Sequence, residues 1–196
     1  SVKATNVTFC EGAEKISANS SDKSGSCVAI ASAYTFSDIT FSDVQIENAN
    51  TSAVRIQLEG SQTGYAGGLA GYLPTSTTNQ VYWLKVDDSI QVNGVFEVSA
   101  QTGHAGGLAG KVGTGYSVFV DGFVNMMDVS APYAGGLFGE VSPVGTLQTL
   151  CIQNSLNVGV ITGTGNSIRK RALVGYLYIK TEVAGHAALG GPDLVP

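Results

Sequence analysis

The side chains here that could do chemistry are few, and each depends on what lies near it. Asp87-Asp88, in "LKVDDSIQV", is the one adjacent pair of acids in the chain. Two carboxylates held together can divide the work of general acid and general base. Neighbouring residues of a strand point to opposite faces, however, so "DDS" reads as a turn instead. Asp121 and Asp128 flank "GFVNMM" with no Lys, Arg or His close by in sequence to act as partner. The chain has only two histidines, His104 and His186, and neither has the neighbours from which three or four metal ligands are assembled. Cys151, in "LQTLCIQNSL", has no adjacent base and reads as a small apolar residue of a strand. No G-x-S-x-G nucleophile elbow occurs. Neither a catalytic residue nor a bound metal or cofactor is therefore expected.

Two groupings remain. Tyr65, His104 and Tyr133 each precede an Ala-Gly-Gly, so their rings fall in one column of a repeated phrase. Such a column can pin strand register by ring stacking, and flat rings in a row can also bind sugars. Arg169-Lys170-Arg171 is the one basic cluster; it suits an acidic glycan, a neighbouring subunit, or an edge charged against unwanted strand addition.

The elements that position these residues follow from the repeat. "GYAGGLAGYL" begins at Gly64, "GHAGGLAGKV" at Gly103 and "PYAGGLFGEV" at Pro132. A weaker copy, "RKRALVGYLYI", puts Leu173 in the column of Leu69, Leu108 and Leu137, and Val28 extends the column backwards. The intervals are 41, 39, 29 and 36 residues. Periods of roughly 20–50 residues mark solenoids, propellers or arrays. A coil of about 29 residues with loop insertions accounts for the unevenness. Leu69, Gly71 and Leu73 have strand spacing and are expected to share an inward face, with Tyr72, Lys111, Glu140 and Tyr176 outside. A phosphate cradle needs a helix after its glycines, and only strand-like runs such as "VYWLKV" and "YSVFVDGFV" follow. The predicted fold is all-β: a right-handed parallel β-helix of five to seven coils, with a sandwich or barrel as the alternative. One domain spans 1–196, with an N-terminal segment 1–24 too polar for a full coil, repeat coils over 25–180 and a C-terminal tail 181–196.

Composition narrows the partners. The 196 residues include 26 glycines, near twice the usual share, and only 13% charged residues. A net charge of −5 disfavours nucleic acid, and no apolar run reaches the length of a membrane span. Asn6, Asn19 and Asn50 head glycosylation sequons, all near one end. Cys10 and Cys27 lie in a Ser-rich stretch where a disulfide would staple the polar terminus. The chain opens at Ser1 without methionine, as a processed chain or an excised piece would. The joint expectation is a secreted or cell-surface glycoprotein.

The three phrases resemble the GLUG motif, the Gly-Leu-apolar-Gly signature of repeat proteins on bacterial and protist surfaces. The likeness runs over about residues 25–180 and departs where Arg171-Ala172 replaces Gly-Gly. It implies a right-handed parallel β-helix and an adhesin-like or structural role. Residues 1–60 carry seven acids and four bases, whereas residues 161–196 carry four bases and two acids. Opposite ends of opposite charge predict head-to-tail self-association into a filament or surface array. The alternative is a carbohydrate-binding adhesin or a polysaccharide-active β-helix enzyme.

Overall fold

A computed structural model describes residues 38–48, 51–60, 63–73, 81–142, 149–165 and 169–177 in full, and the backbone alone of 2–4, 7–9, 15–19 and 26–27. All regular structure among these residues is strand, and the strands recur in the same order through five turns of the chain. The first coil holds β1 (Val2–Ala4), β2 (Val7–Phe9), β3 (Lys15–Asn19) and β4 (Ser26–Cys27). The second holds β5 (Ile39–Phe41), β6 (Gln45–Asn48), β7 (Val54–Glu59), β8 (Gly64–Gly67) and β9 (Ala70–Leu73). The third holds β10 (Tyr82–Val86), β11 (Gln91–Asn93), β12 (Phe96–Ala100), β13 (Gly103–Gly106) and β14 (Ala109–Val112). The fourth holds β15 (Tyr116–Asp121), β16 (Val124–Asn125), β17 (Asp128–Ala131), β18 (Tyr133–Gly135) and β19 (Phe138–Val141). The fifth holds β20 (Leu150–Gln153), β21 (Leu156–Asn157), β22 (Ile161–Gly163), β23 (Arg169–Arg171) and β24 (Val174–Leu177).

Each strand pairs with its counterparts in the coils before and after it. Sheet A stacks β1, β5, β10, β15 and β20; sheet C stacks β3, β7, β12, β17 and β22; sheet D stacks β4, β8, β13, β18 and β23. Sheet E runs from β9 through β14 and β19 to β24, and sheet B joins β2, β6 and β11, with β16 and β21 as a separate pair. Pairing is parallel in every sheet. The result is a solenoid-like stack of parallel sheets, neither a sandwich nor a closed barrel.

Alternation drives the stack. In β7 the apolar Val54, Ile56 and Leu58 are buried while Arg55 and Glu59 face solvent. Val54, Ile56 and Leu58 lie in register with Phe96, Val98 and Ala100 of the next coil, so each apolar residue covers its neighbour. Complete burial of one such side chain is worth about 1.5–3 kcal/mol. Short backbone strands of the N-terminal segment pair with the same stack. Val2 pairs with Ile39, Val7 with Ile46 and Ile16 with Ile56. Its polar residues alternate with enough apolar ones to supply strands to a first coil.

Leu69, Leu108 and Leu137 are fully buried, and they sit in the bend between sheets D and E rather than inside a strand. The Leu69 N–H donates to Leu108 O at 2.9 Å, Leu108 N–H to Leu137 O at 2.8 Å, and Leu137 N–H to Leu173 O at 2.9 Å. Leu173, in the last coil, is half-buried. The paired glycines before each leucine have a packing reason. A Cβ on Gly106 would overlap Ala109 O of its own coil and, in the next coil, would meet Leu137 O at 2.6 Å and Gly139 N at 2.7 Å. On Gly107 it would overlap the Asn125 amide and Gly136 O, and on Gly136 it would overlap Ala172 O and lie 2.5 Å from Asn157 Cγ. Those obstacles belong largely to the following coil, so close coil-to-coil approach at this corner excludes a side chain.

Candidate functional site

The corner between sheets D and E brings two columns together. One column reads Tyr65, His104, Tyr133 and Arg169 along sheet D. The other reads Tyr72, Lys111, Glu140 and Tyr176 along sheet E. The chain folds this way because Ala and Gly occupy the alternate positions inside, leaving the long side chains on one side. His104 stacks on Tyr133 with ring centroids 4.4 Å apart and planes 14° apart, and its other face meets Tyr65 at 5.4 Å. Tyr65 in turn stacks on Tyr72 at 5.0 Å, and Tyr133 meets Tyr176 edge-on at 5.7 Å. These separations match the rise between coils, about 4.8 Å. The rings therefore occupy one another's faces.

Charge is buried among the rings. Glu140 is only 7% exposed and accepts from three donors. Lys111 Nζ lies 2.9 Å from Oε1, His104 Nε2 lies 3.2 Å from Oε2, and the Ser142 hydroxyl also donates to Oε1. Lys111 extends over the Tyr65 ring at 5.1 Å, and the Arg169 guanidinium covers Tyr176 at 4.7 Å. Burial of His104 pushes its pKa down to about 4, a shift that the Glu140 charge opposes and the Lys111 charge reinforces. The imidazole is thus neutral at pH 7, with the proton on Nε2 for Glu140; Nδ1 is buried without a hydrogen-bond partner. Burial works against the Lys111 ammonium, but the hydrogen bond and charge of Glu140 outweigh it and hold its pKa above the ordinary value. Burial also raises the Tyr65 phenol. An ion pair inside a ring stack holds neighbouring coils in one register and leaves its donors and acceptors occupied.

The remaining residues singled out in the sequence are dispersed. Asp87 accepts from the Ser89 N–H at 3.1 Å and from its hydroxyl, an Asx-type turn, while Asp88 sits against Gly122. Asp121 accepts from Asn154 at 2.8 Å and Gln153 at 2.9 Å, which hold its carboxyl below the usual range. Asp128 accepts from the Val160 N–H at 2.8 Å. Cys151 is a free, half-buried thiol opposite Phe119, not a core residue. That position belongs to the column of Thr40 and Lys85, which alternates with the buried one. Arg169, Lys170 and Arg171 form β23 and are all exposed. Asn6, Cys10, Asn50 and His186 lie outside the described residues; Asn19 ends β3 and Cys27 ends β4 opposite Ala66.

No family model, curated protein or solved structure matches this chain.

Sequence reasoning placed Lys111 and Glu140 on a simple outer face, and the structure buries Glu140 instead. Opposite charges on successive coils of one column were the available signal. Nothing in the sequence linked them to His104, because the contact crosses the bend between two sheets. Among the described residues no group of His, Cys, Asp and Glu could hold a metal ion, and no helix is long and apolar enough to cross a membrane. The outer face of sheet C carries a shallow open depression lined by Gln57, Glu59, Ser99, Gln101, Ser130 and Thr164. Gln57, Ser99, Ser130 and Thr162 follow one another there on successive coils.

Proposed function

We propose that this chain is a non-enzymatic structural protein of the extracellular surface, a right-handed β-helical rod of the GLUG-motif kind, glycosylated near its N-terminal end. The observation that carries the reading is the use made of the reactive groups. His104, Glu140 and Lys111 are spent on one another inside a ring stack, where they hold coils together. A polysaccharide lyase or hydrolase would need its acid and base open to a chain lying in a groove. The sugar-platform reading of Tyr65, His104 and Tyr133 is weakened for the same reason, since their faces are already covered.

The proposal is for a bounded rod rather than the filament or surface array expected from the charges of the two ends. The last coil bears Lys170 and Arg171 where earlier coils bear alanine and glycine. The polar ladder of sheet C favours one second reading, weak glycan binding along that face, because amide and hydroxyl groups repeat there at coil spacing.

Incubation of the purified protein with neutral and acidic polysaccharides tests the first reading, with intact-mass measurement of material from its native source. Glycans on the chain and unchanged polysaccharide are expected. Cleavage that survives Asp87→Asn but is lost in Glu140→Gln would establish an enzyme built on the ladder.

A further inference from the structure

The last of the described coils departs from the others at three consecutive positions, and each departure falls where a further coil would have to stack. The inward column of sheet D runs Cys27, Ala66, Ala105, Ala134 and Lys170. Ala66, Ala105 and Ala134 are fully buried, each under the next coil, whereas Lys170 is exposed. Among the described residues Lys170 makes no ion pair. Beside it, Arg171 continues the column of Gly67, Gly106 and Gly135. Ala172 then follows where the second glycine of the pair stands in the earlier phrases. At both glycine positions of the inner coils a Cβ would collide with the backbone of the coil above. "AGG" has become "KRA".

We infer that Lys170, Arg171 and Ala172 form a built-in stop that prevents a second copy of this chain from stacking its first coil on the last one. Elsewhere the two ends are compatible. Leu150 and Ile161 of the last coil occupy the same register columns as Val2 and Ile16 of the first, and β20 and β22 have an unpaired edge among the described residues. Such an edge is a template for strand addition, which native sheets block with inward-pointing charge. A stacked coil would bury the Lys170 ammonium without a partner, and it would meet side chains on Arg171 and Ala172 where it needs bare backbone. The inference rests on the bounded-rod part of the proposed function and not on its non-enzymatic part, so it stands even if the protein proves to be an enzyme.

The test restores the inner-coil residues. Wild-type protein should sediment as a monomer at micromolar concentration. The triple variant Lys170→Ala, Arg171→Gly, Ala172→Gly should associate end to end, with at least about tenfold tighter self-association and rods lengthened in whole multiples by electron microscopy. Lys170→Ala alone, a change at an exposed site that leaves folding intact, should give a smaller shift in the same direction. End-to-end filaments of the wild type would overturn the inference. So would a folded triple variant as monomeric as wild type or, if the triple variant does not fold, a monomeric Lys170→Ala.

Discussion

At the scale of single residues, two of the buried polar atoms without a hydrogen-bond partner, His104 Nδ1 and the Tyr116 hydroxyl, belong to groups that make opposite predictions. His104 is neutral in the fold with a pKa of about 4, below its unfolded value near 6.5. Between those values only the unfolded chain takes up the extra proton. Stability is therefore full above the unfolded pKa, falls as pH drops through it, and levels off near the folded value. The loss amounts to about 3 kcal/mol. Urea unfolding midpoints measured across this range should show the step. His104→Tyr, which restores the residue type of Tyr65 and Tyr133, should flatten it; an unchanged step would assign it to other groups. Tyr116 presents the reverse case. Its ring is buried, its hydroxyl has no hydrogen-bond partner, and burial pushes its pKa up to about 12. Tyr116→Phe removes an unsatisfied group and keeps the ring, so it should raise the unfolding temperature, a gain of about 1–2 kcal/mol. A clear fall would mean that the hydroxyl is satisfied in solution.

At the scale of elements, the corner of sheets D and E is where sequence and structure speak most directly to each other. Gly107→Ala would drive a Cβ into the Asn125 amide, which donates to Met127 O at 2.9 Å and to Asn157 Oδ1 at 2.7 Å. That substitution should cost about 2–3 kcal/mol or more. Ala172→Gly, at the matching exposed position of the fifth coil, should cost less than about 1 kcal/mol. Equal effects in thermal melts would show that coil stacking does not explain the glycines. The Gly-Gly-Leu phrases made this corner legible, because their columns fall where the sheets stack. The strand-like runs "VYWLKV" and "YSVFVDGFV" likewise showed strands of sheet A. The first coil was hidden by its polar composition: Val2, Val7 and Ile16 are too widely spaced to stand out without the strands they pair with. The His104–Glu140 contact was hidden for a different reason. It joins two sheets across a bend, and a column alignment records neighbours along a sheet only.

At the scale of the whole molecule, strand partners are far apart in the chain. Ala105 pairs with Ala134, 29 residues later, and Leu84 with Ile39, 45 residues earlier. All the paired strands are parallel, and the connection between partners is always a full coil. The order in which such a chain can acquire structure is therefore constrained. Among the described residues no local hairpin exists to start from, so the first pairing must close a loop of a whole coil before any contact repays the lost entropy. Each later coil then lays itself against a surface already formed, and growth from that nucleus is cheaper than its birth. Refolding from denaturant should accordingly be slow, on the order of seconds or longer, with a lag that circular dichroism after manual mixing can follow. Complete recovery within milliseconds would contradict it. During synthesis the same constraint leaves more than a coil's length of β-prone chain waiting for a partner, the interval in which this protein has most need of a chaperone.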